Sequence, residues 1–387
     1  MKKKIAILGS TGTIGKNLIN IIKKDKSKFK ILLLSTNKNY KELLKQQRLF
    51  KVKNIIITDK KIFSFVKKLK IKNLKIFNNF DNINKIFKYK IDYTMNAISG
   101  LDGLEPTLKI IKFSKSIAIA NKESLICGWN LIKNEFDLHN TQFIPVDSEH
   151  FSIWYSLDNF KKNNIEKIYL TASGGPFLNL PKNKFSKITI KDSLRHPNWQ
   201  MGSKISIDSA TMINKVFEII EAKNIFKIPY NKLSIKIHRD SYLHAIIKFS
   251  NGMINIIAHD TTMKIPIFNS LYCNENIKQL KTSDINFNKL NNLNLKSVDY
   301  KKFPIDKILN LMPKKFSLFE TILVVANDEL VNLYLKKKIT FVDIYNYLFK
   351  ILLSKEMKSY KNIVPVNFSD IVNVKNIVLN KINKLVR

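Results

Sequence analysis

The sequence predicts an α/β protein with an N-terminal Rossmann-like parallel sheet, a central α+β domain and a small C-terminal helical domain. Three observations lead there. Short apolar runs alternate with helical periods through the first 147 residues, as in a parallel sheet wound by crossover helices. From about residue 165 the texture changes to strands mixed with a helix, two of the strands joined by the hairpin signal Asn251-Gly252. Beyond residue 303 only helical periods remain.

Each element rests on a local pattern. Residues 4–8 form a short apolar strand, then a glycine turn, then a helix with Ile14, Leu18, Ile19 and Ile22 on one face. Ile31 to Leu34, Val52 to Thr58, Leu74 to Phe77, Tyr93 to Ile98, Ile117 to Ala120 and Phe143 to Val146 read as further buried strands. The second region offers strands at Ile165–Thr171, Ser234–Ile237, Ala245–Phe249 and Met253–Ala258, and one helix over Ala210–Phe226. Residues 274–302, rich in Asn and Lys, read as a linker. The expected domains are therefore 1–147, 148–273 and 303–387.

Composition narrows the function. A chain of 387 residues exceeds one ordinary core. No apolar run reaches the roughly 20 residues that span a bilayer. The apolar stretch after Met1–Lys4 stops at Gly9, short of a signal peptide, so a cytoplasmic protein is expected. Cys127 and Cys273 fit a reducing compartment and offer no metal motif. The net charge of +37 comes from lysines spread along the whole chain. Dispersed charge makes a poor phosphate-tracking groove, so neither nucleic acid nor a membrane is the expected partner. It does favour anionic small molecules.

Two motifs point to a cofactor and a metal. Gly9, Thr11, Gly12, Thr13, Ile14 and Gly15 lie between a strand and a helix, where glycines admit a pyrophosphate to the helix N-terminus. The spacing G-x-x-G-x-x-G is equally that of a tight strand–helix turn. The second strand ends Ser35-Thr36-Asn37-Lys38-Asn39, without the acid that binds a ribose 2′-hydroxyl, so NADPH suits it better than NADH. Asp147 and Glu149 flank Ser148 after a strand, and in extended chain they would face the same side. A hard cation, Mg²⁺ or Mn²⁺, would relieve their repulsion, although an exposed acidic loop reads the same way. Ser173-Gly174-Gly175 follows a strand and suits a phosphate cradle. His196, Pro197, Trp199 and Gly202 mark residues 196–203 as a mobile lid over a pocket, or as a loop whose indole packs in a core.

Together these segments, with Ser209-Ala210-Thr211-Met212-Ile213-Asn214-Lys215 and Glu218, resemble the 1-deoxy-D-xylulose 5-phosphate reductoisomerase family, closely over residues 1–260 and loosely beyond. The resemblance implies a central catalytic domain. The implied reaction is the NADPH- and metal-dependent rearrangement and reduction of that phosphorylated sugar to 2-C-methyl-D-erythritol 4-phosphate, in non-mevalonate isoprenoid biosynthesis. It assigns Lys122, Glu149 and His196 to catalysis, and Asp147, Glu149 and Glu218 to the metal. Lys122, Ser148, Glu149, Ser173, His196, Trp199, Ser209, Asn214, Lys215 and Glu218 would meet substrate. Asn37, Lys38, Asn39, Asn121, Glu123 and Gly202 would join the glycine turn around NADPH. A homodimer is also implied. The sequence departs from the family at Arg239-Asp240, usually Pro-Gln, across Ala258–Pro266, and at Asp328, usually Glu. Another NADP-dependent two-domain dehydrogenase would share the first domain but need no three-carboxylate set; a basic nucleic-acid-binding protein would show no cofactor saturation.

Overall fold

Seven parallel strands build the first sheet: β1 (Lys3–Leu8), β2 (Phe29–Thr36), β3 (Asn54–Ile57), β4 (Lys75–Phe77), β5 (Ile91–Asn96), β6 (Ser114–Ile119) and β7 (Gln142–Pro145). Their order is β4-β3-β2-β1-β5-β6-β7, all parallel. This is the sheet the alternation predicts. β1 is central, and Ile5, Ala6, Ile7 and Leu8 have no exposed surface because helices cover both faces. Strand order reverses at β1, which places the ligand crevice of such folds at its carboxyl end.

The computed structural model describes residues 1–157, 165–199, 201–273 and 280–386. The chain forms two units, the first comprising residues 1–124, 131–151 and 263–281, the second residues 125–130, 152–262 and 282–387. The late segment of the first unit returns to the sheet through the helix Lys264–Leu271. Tyr93 shares a 2.8 Å hydrogen bond with Ser270, and the Tyr272 hydroxyl donates to Asp25. Nothing in the local periodicity signals this return.

The second unit holds a five-stranded mixed sheet, ordered β11-β10-β8-β9-β12. Its strands are β8 (Ile165–Ala172), β9 (Leu233–His238), β10 (Leu243–Phe249), β11 (Ile254–Ala258) and β12 (Leu295–Lys296). The β10–β11 hairpin turns at Gly252, whose φ of +87° is the reason the turn carries glycine. The stretch 274–302, read as a linker, contributes β12 and the helix Phe287–Asn291; residues 274–279 lie outside the described residues. A strand of two residues leaves no pattern to read.

The helix expected over Ala210–Phe226 starts at Ile213, and a separate helix, Ser203–Ala210, ends just before it. Met212 breaks them apart with a left-handed backbone at φ 59°, and the Tyr345 hydroxyl donates to the Thr211 carbonyl freed at the junction. The C-terminal helices include Leu318–Leu335, Phe341–Leu353 and Phe368–Leu385, each opened by a capping box: Ser317 with Glu320, Thr340 with Asp343, and Asn367 with Asp370.

Candidate active site

In the first unit the glycine turn has two glycines that nothing larger could replace. A Cβ on Gly9, at φ +74°, would lie 2.6 Å from the Ala97 carbonyl oxygen, and one on Gly15 would lie 2.5 Å from that of Gly9. Gly12 is exposed and opens the helix Thr13–Lys24, with no side-chain cap and no acid in the first turn. Its leading N–H groups suit an anion. Thr11 is tied to Thr36 by a 2.6 Å hydroxyl pair. Lys38 is exposed just past β2. Asn37 is not among the left-handed residues, and its amide donates to Thr58. Asn39 caps the helix Tyr40–Phe50.

Asn121 is a buried N-cap. Its carbonyl accepts from Ser124 N at 2.8 Å, while its amide donates to the carbonyls of Ile98 and Gly100. It thereby fixes the loop at the carboxyl end of β5. Lys122 and Glu123 follow, both buried, in the first turn of the helix.

Asp147 and Glu149 do not lie in extended chain as read from sequence. The helix Ser148–Leu157 begins between them, and Phe151 N bonds the Asp147 carbonyl. Their carboxylate oxygens still approach within 4.8 Å, because one sits just outside the first turn and the other within it. The Lys122 ammonium pairs with Asp147 at 3.0 Å, and His150 stands 3.5 Å from the other Asp147 oxygen. Burial opposes ionisation of Asp147, but the Lys122 charge and then His150 hold it well below the usual carboxylate range. Ser148 donates to Glu149 at 2.6 Å. Two carboxylates beside a helix start are a donor set for a hard divalent cation.

In the second unit the expected phosphate ligands converge on the end of β8. Ser173 Oγ accepts from Gly175 N at 3.2 Å and meets His196 Nε2 at 3.0 Å. The other ring nitrogen, Nδ1, accepts from the backbone N–H of Asn198 and Trp199 at 3.2 and 3.0 Å. It must therefore be bare, which leaves the proton on Nε2 and makes His196 the donor to Ser173. Burial, then the nearby Arg239 charge, push the His196 pKa down to about 4, so the ring is neutral at pH 7. A Cβ on Gly175 would lie 2.5 Å from the Ser209 carbonyl, so glycine is what lets this loop meet Ser209. Lys215 reaches the Thr171 carbonyl at 2.5 Å and also pairs with Glu218, to which Asn214 donates as well. Trp199 is half-buried, its ring edge toward His244 with centroids 6.5 Å apart. Gly202 is exposed and opens the helix Ser203–Ala210; Gln200 lies outside the described residues.

Three family models match successive stretches of this chain. A 1-deoxy-D-xylulose 5-phosphate reductoisomerase model matches residues 5–128, and two models of the C-terminal domains of that enzyme match 143–226 and 260–379. The chain is 59% identical to the 1-deoxy-D-xylulose 5-phosphate reductoisomerase of Pelagibacter ubique, covering 99% of both chains.

The chain belongs to the 1-deoxy-D-xylulose 5-phosphate reductoisomerase family.

The reductoisomerase of a Sulfurihydrogenibium species is 36% identical over 90% of each chain. Among solved structures, the Zymomonas mobilis reductoisomerase in complex with NADPH covers all of both chains at 28% identity and a TM-score of 0.88. A reductoisomerase in complex with NADPH, fosmidomycin and magnesium superposes with a TM-score of 0.89, at 27% identity over 99% of this chain and 98% of that one. The family match at 260–379 extends the resemblance past residue 260, where the sequence motifs alone had made it loose.

Sequence reasoning missed several residues around these reductoisomerase motifs. Arg239 grips the Ser173–Gly175 loop, Asn198 ties the neighbouring segment to Ser241, and His150 faces Asp147. Asp328, a departure from the family pattern, pairs with Lys204 at 2.9 Å, and Lys204 also holds the buried Asp208 beside Ser209. The contacts of Arg239, Asn198 and Asp328 join residues distant in sequence and leave no spacing to read, whereas His150, three after Asp147, and Lys204, four before Asp208, sit at helical spacings that could have signalled them.

Proposed function

We infer that this chain converts 1-deoxy-D-xylulose 5-phosphate to 2-C-methyl-D-erythritol 4-phosphate with NADPH and Mg²⁺ or Mn²⁺, in non-mevalonate isoprenoid biosynthesis. The observation that carries the reading is the convergence of Ser173, His196, Ser209 and Lys215 on the end of β8, in a chain matched over its length by reductoisomerases. Their hydroxyls, N–H groups and ammonium suit a phosphate. A neighbouring cavity of about 560 Å³, bordered by Pro176, Pro197 and Arg239, carries Lys184, Lys187 and Arg195 against one acid, Asp192, and adds positive charge beside the Ser173–Gly175 loop.

Asp147, Glu149 and Glu218 would hold the metal. When bound, the ion polarises the substrate ketone and lowers the pKa of a neighbouring hydroxyl, while NADPH supplies hydride to the rearranged aldehyde. Lys122 stabilises negative charge developing on a substrate oxygen, and Asp147 keeps that ammonium charged and in place. Glu149 takes and returns the hydroxyl proton. His196, neutral, donates Nε2–H to a phosphate oxygen as it now does to Ser173. Trp199 closes over the pocket and excludes water. Thr11, Gly12 and the helix start bind the pyrophosphate, and Lys38 meets the 2′-phosphate. Asn121 and Glu123 shape the nicotinamide side, and Gly202 gives the closing segment room.

The family implies a homodimer. The edge strand β11 supports it, with Ile254 and Ile256 more than half exposed. No described helix is long and apolar enough to cross a membrane, and Cys127 and Cys273, not joined in a disulfide, agree with a cytoplasmic enzyme. The test is Asp147→Asn. Turnover should collapse while NADPH still binds; unchanged activity in metal-buffered solution would remove Asp147 from the site.

A further inference from the structure

Arginine is scarce in this chain. It occurs four times, at 48, 195, 239 and 387, among 67 basic residues. Arg239 follows β9 and uses its planar head on two backbone oxygens. Nη1 donates to the Gly175 carbonyl at 2.5 Å and to the Ser173 carbonyl at 3.3 Å. Its own carbonyl accepts from Asn198 Nδ2 at 2.5 Å, and the same amide donates to Ser241 Oγ at 2.9 Å. One residue thus holds the glycine loop with its side chain and the segment around Trp199 with its backbone.

The loop needs such a restraint. Gly174 and Gly175 have φ of +80° and +66°, and two successive residues without a Cβ fix little by themselves. A trans peptide points its N–H opposite its carbonyl, so a grip on the Ser173 oxygen also aims the Gly174 N–H. The segment on the other side carries His196, whose ring is already bonded to Ser173. Both bonds leave Nη1, whose two N–H directions are fixed by the guanidinium plane, whereas a lysine ammonium rotates on a flexible stem.

We propose that Arg239 is a positioning residue for the substrate phosphate, locking the Ser173–Gly175 loop and the His196–Trp199 segment into one arrangement. Through it, the Ser173 hydroxyl, the Gly174 N–H and the His196 ring meet the phosphate together. The proposal rests on reading that loop as the phosphate site. It predicts that Arg239 governs the phosphorylated substrate and leaves the dinucleotide alone.

The test compares Ser173→Ala, Arg239→Met and Arg239→Lys in the full-length chain, with NADPH, Mg²⁺ and 1-deoxy-D-xylulose 5-phosphate. Arg239→Met should raise the KM for the sugar phosphate by about tenfold, the loss expected for charge-assisted hydrogen bonds. Its KM for NADPH should stay within about twofold, and kcat should fall less than KM rises. Arg239→Lys should recover part of the loss. If Ser173→Ala raises the substrate KM but Arg239→Met does not, the Arg239 proposal fails alone. If Ser173→Ala has no effect, the phosphate reading of the loop fails first. An equal rise in both KM values with a lowered melting temperature would mark general damage and overturn the positioning role. Should Arg239→Met not fold, Asn198→Ala releases the other end of the link. It should raise the same KM by a smaller factor, and an unchanged value would overturn the coupling.

Discussion

Replacing Lys215 with Met should destabilise the second unit by about 3–5 kcal/mol, the cost of leaving a buried charge without its partner. Lys215 and Glu218 are 4% and 2% exposed. They pair directly on the helix Ile213–Phe226, and the ammonium also satisfies the Thr171 carbonyl. Methionine fills similar volume but returns neither charge nor donor, so Glu218 would lose its ammonium partner while keeping the Asn214 amide. Solvent screening is slight at this burial, unlike an exposed pair worth less than about 1 kcal/mol. At roughly 2–4 °C per kcal/mol for a unit of this size, the transition should move down by about 10 °C. Differential scanning calorimetry without ligand reads the shift directly. The double replacement Lys215→Met with Glu218→Leu should recover most of the loss, because removing both charges removes the uncompensated one. A single-variant cost below about 1 kcal/mol would show that the pair is hydrated and the burial argument wrong.

Lys38→Glu should weaken NADPH far more than NADH in equilibrium binding; equal losses would show that Lys38 does not read the 2′-phosphate. Saturating Mn²⁺ at about 100 times its Kd should add about 2.7 kcal/mol of stability to the wild type and less to Asp147→Asn, read as melting temperature; identical shifts would place the ion elsewhere. Trp199→Ala should lose turnover and phosphonate affinity, with the ligand-free melting point nearly unchanged, because the indole is half-buried. A cost near the 3–5 kcal/mol of a core Trp would make the segment structural. His196 binds its proton less readily when folded than when unfolded, because burial and then the Arg239 charge lower its pKa from the ordinary 6.5 to about 4. Its contribution to stability is therefore present above about pH 6.5 and lost as pH falls towards 4. An NMR titration placing its pKa near 6.5 would contradict the assigned tautomer and burial.

What the sequence made legible was whatever a residue's identity alone dictates. Gly9 and Gly15 announce a turn because no Cβ fits there, and strand alternation announces the parallel sheet because side-chain burial follows the pleat. Asp147 and Glu149 were legible as a donor pair but not in geometry: a helix start stands where extended chain was expected. Met212 hid the break between two helices, since a left-handed methionine carries no local signal. Arg239 and the return of Lys264–Leu271 were invisible for a different reason. Both depend on partners brought near only by the finished fold.

The proposed reaction couples a rearrangement to a reduction. Its most direct test is oxidation of NADPH by the purified chain with 1-deoxy-D-xylulose 5-phosphate and Mg²⁺, the product identified by mass and NMR. One 2-C-methyl-D-erythritol 4-phosphate should form per NADPH oxidised, with no turnover when either the sugar phosphate or the metal is omitted. NADPH oxidation that persists without the metal, or yields a reduced sugar with an unrearranged skeleton, would contradict it.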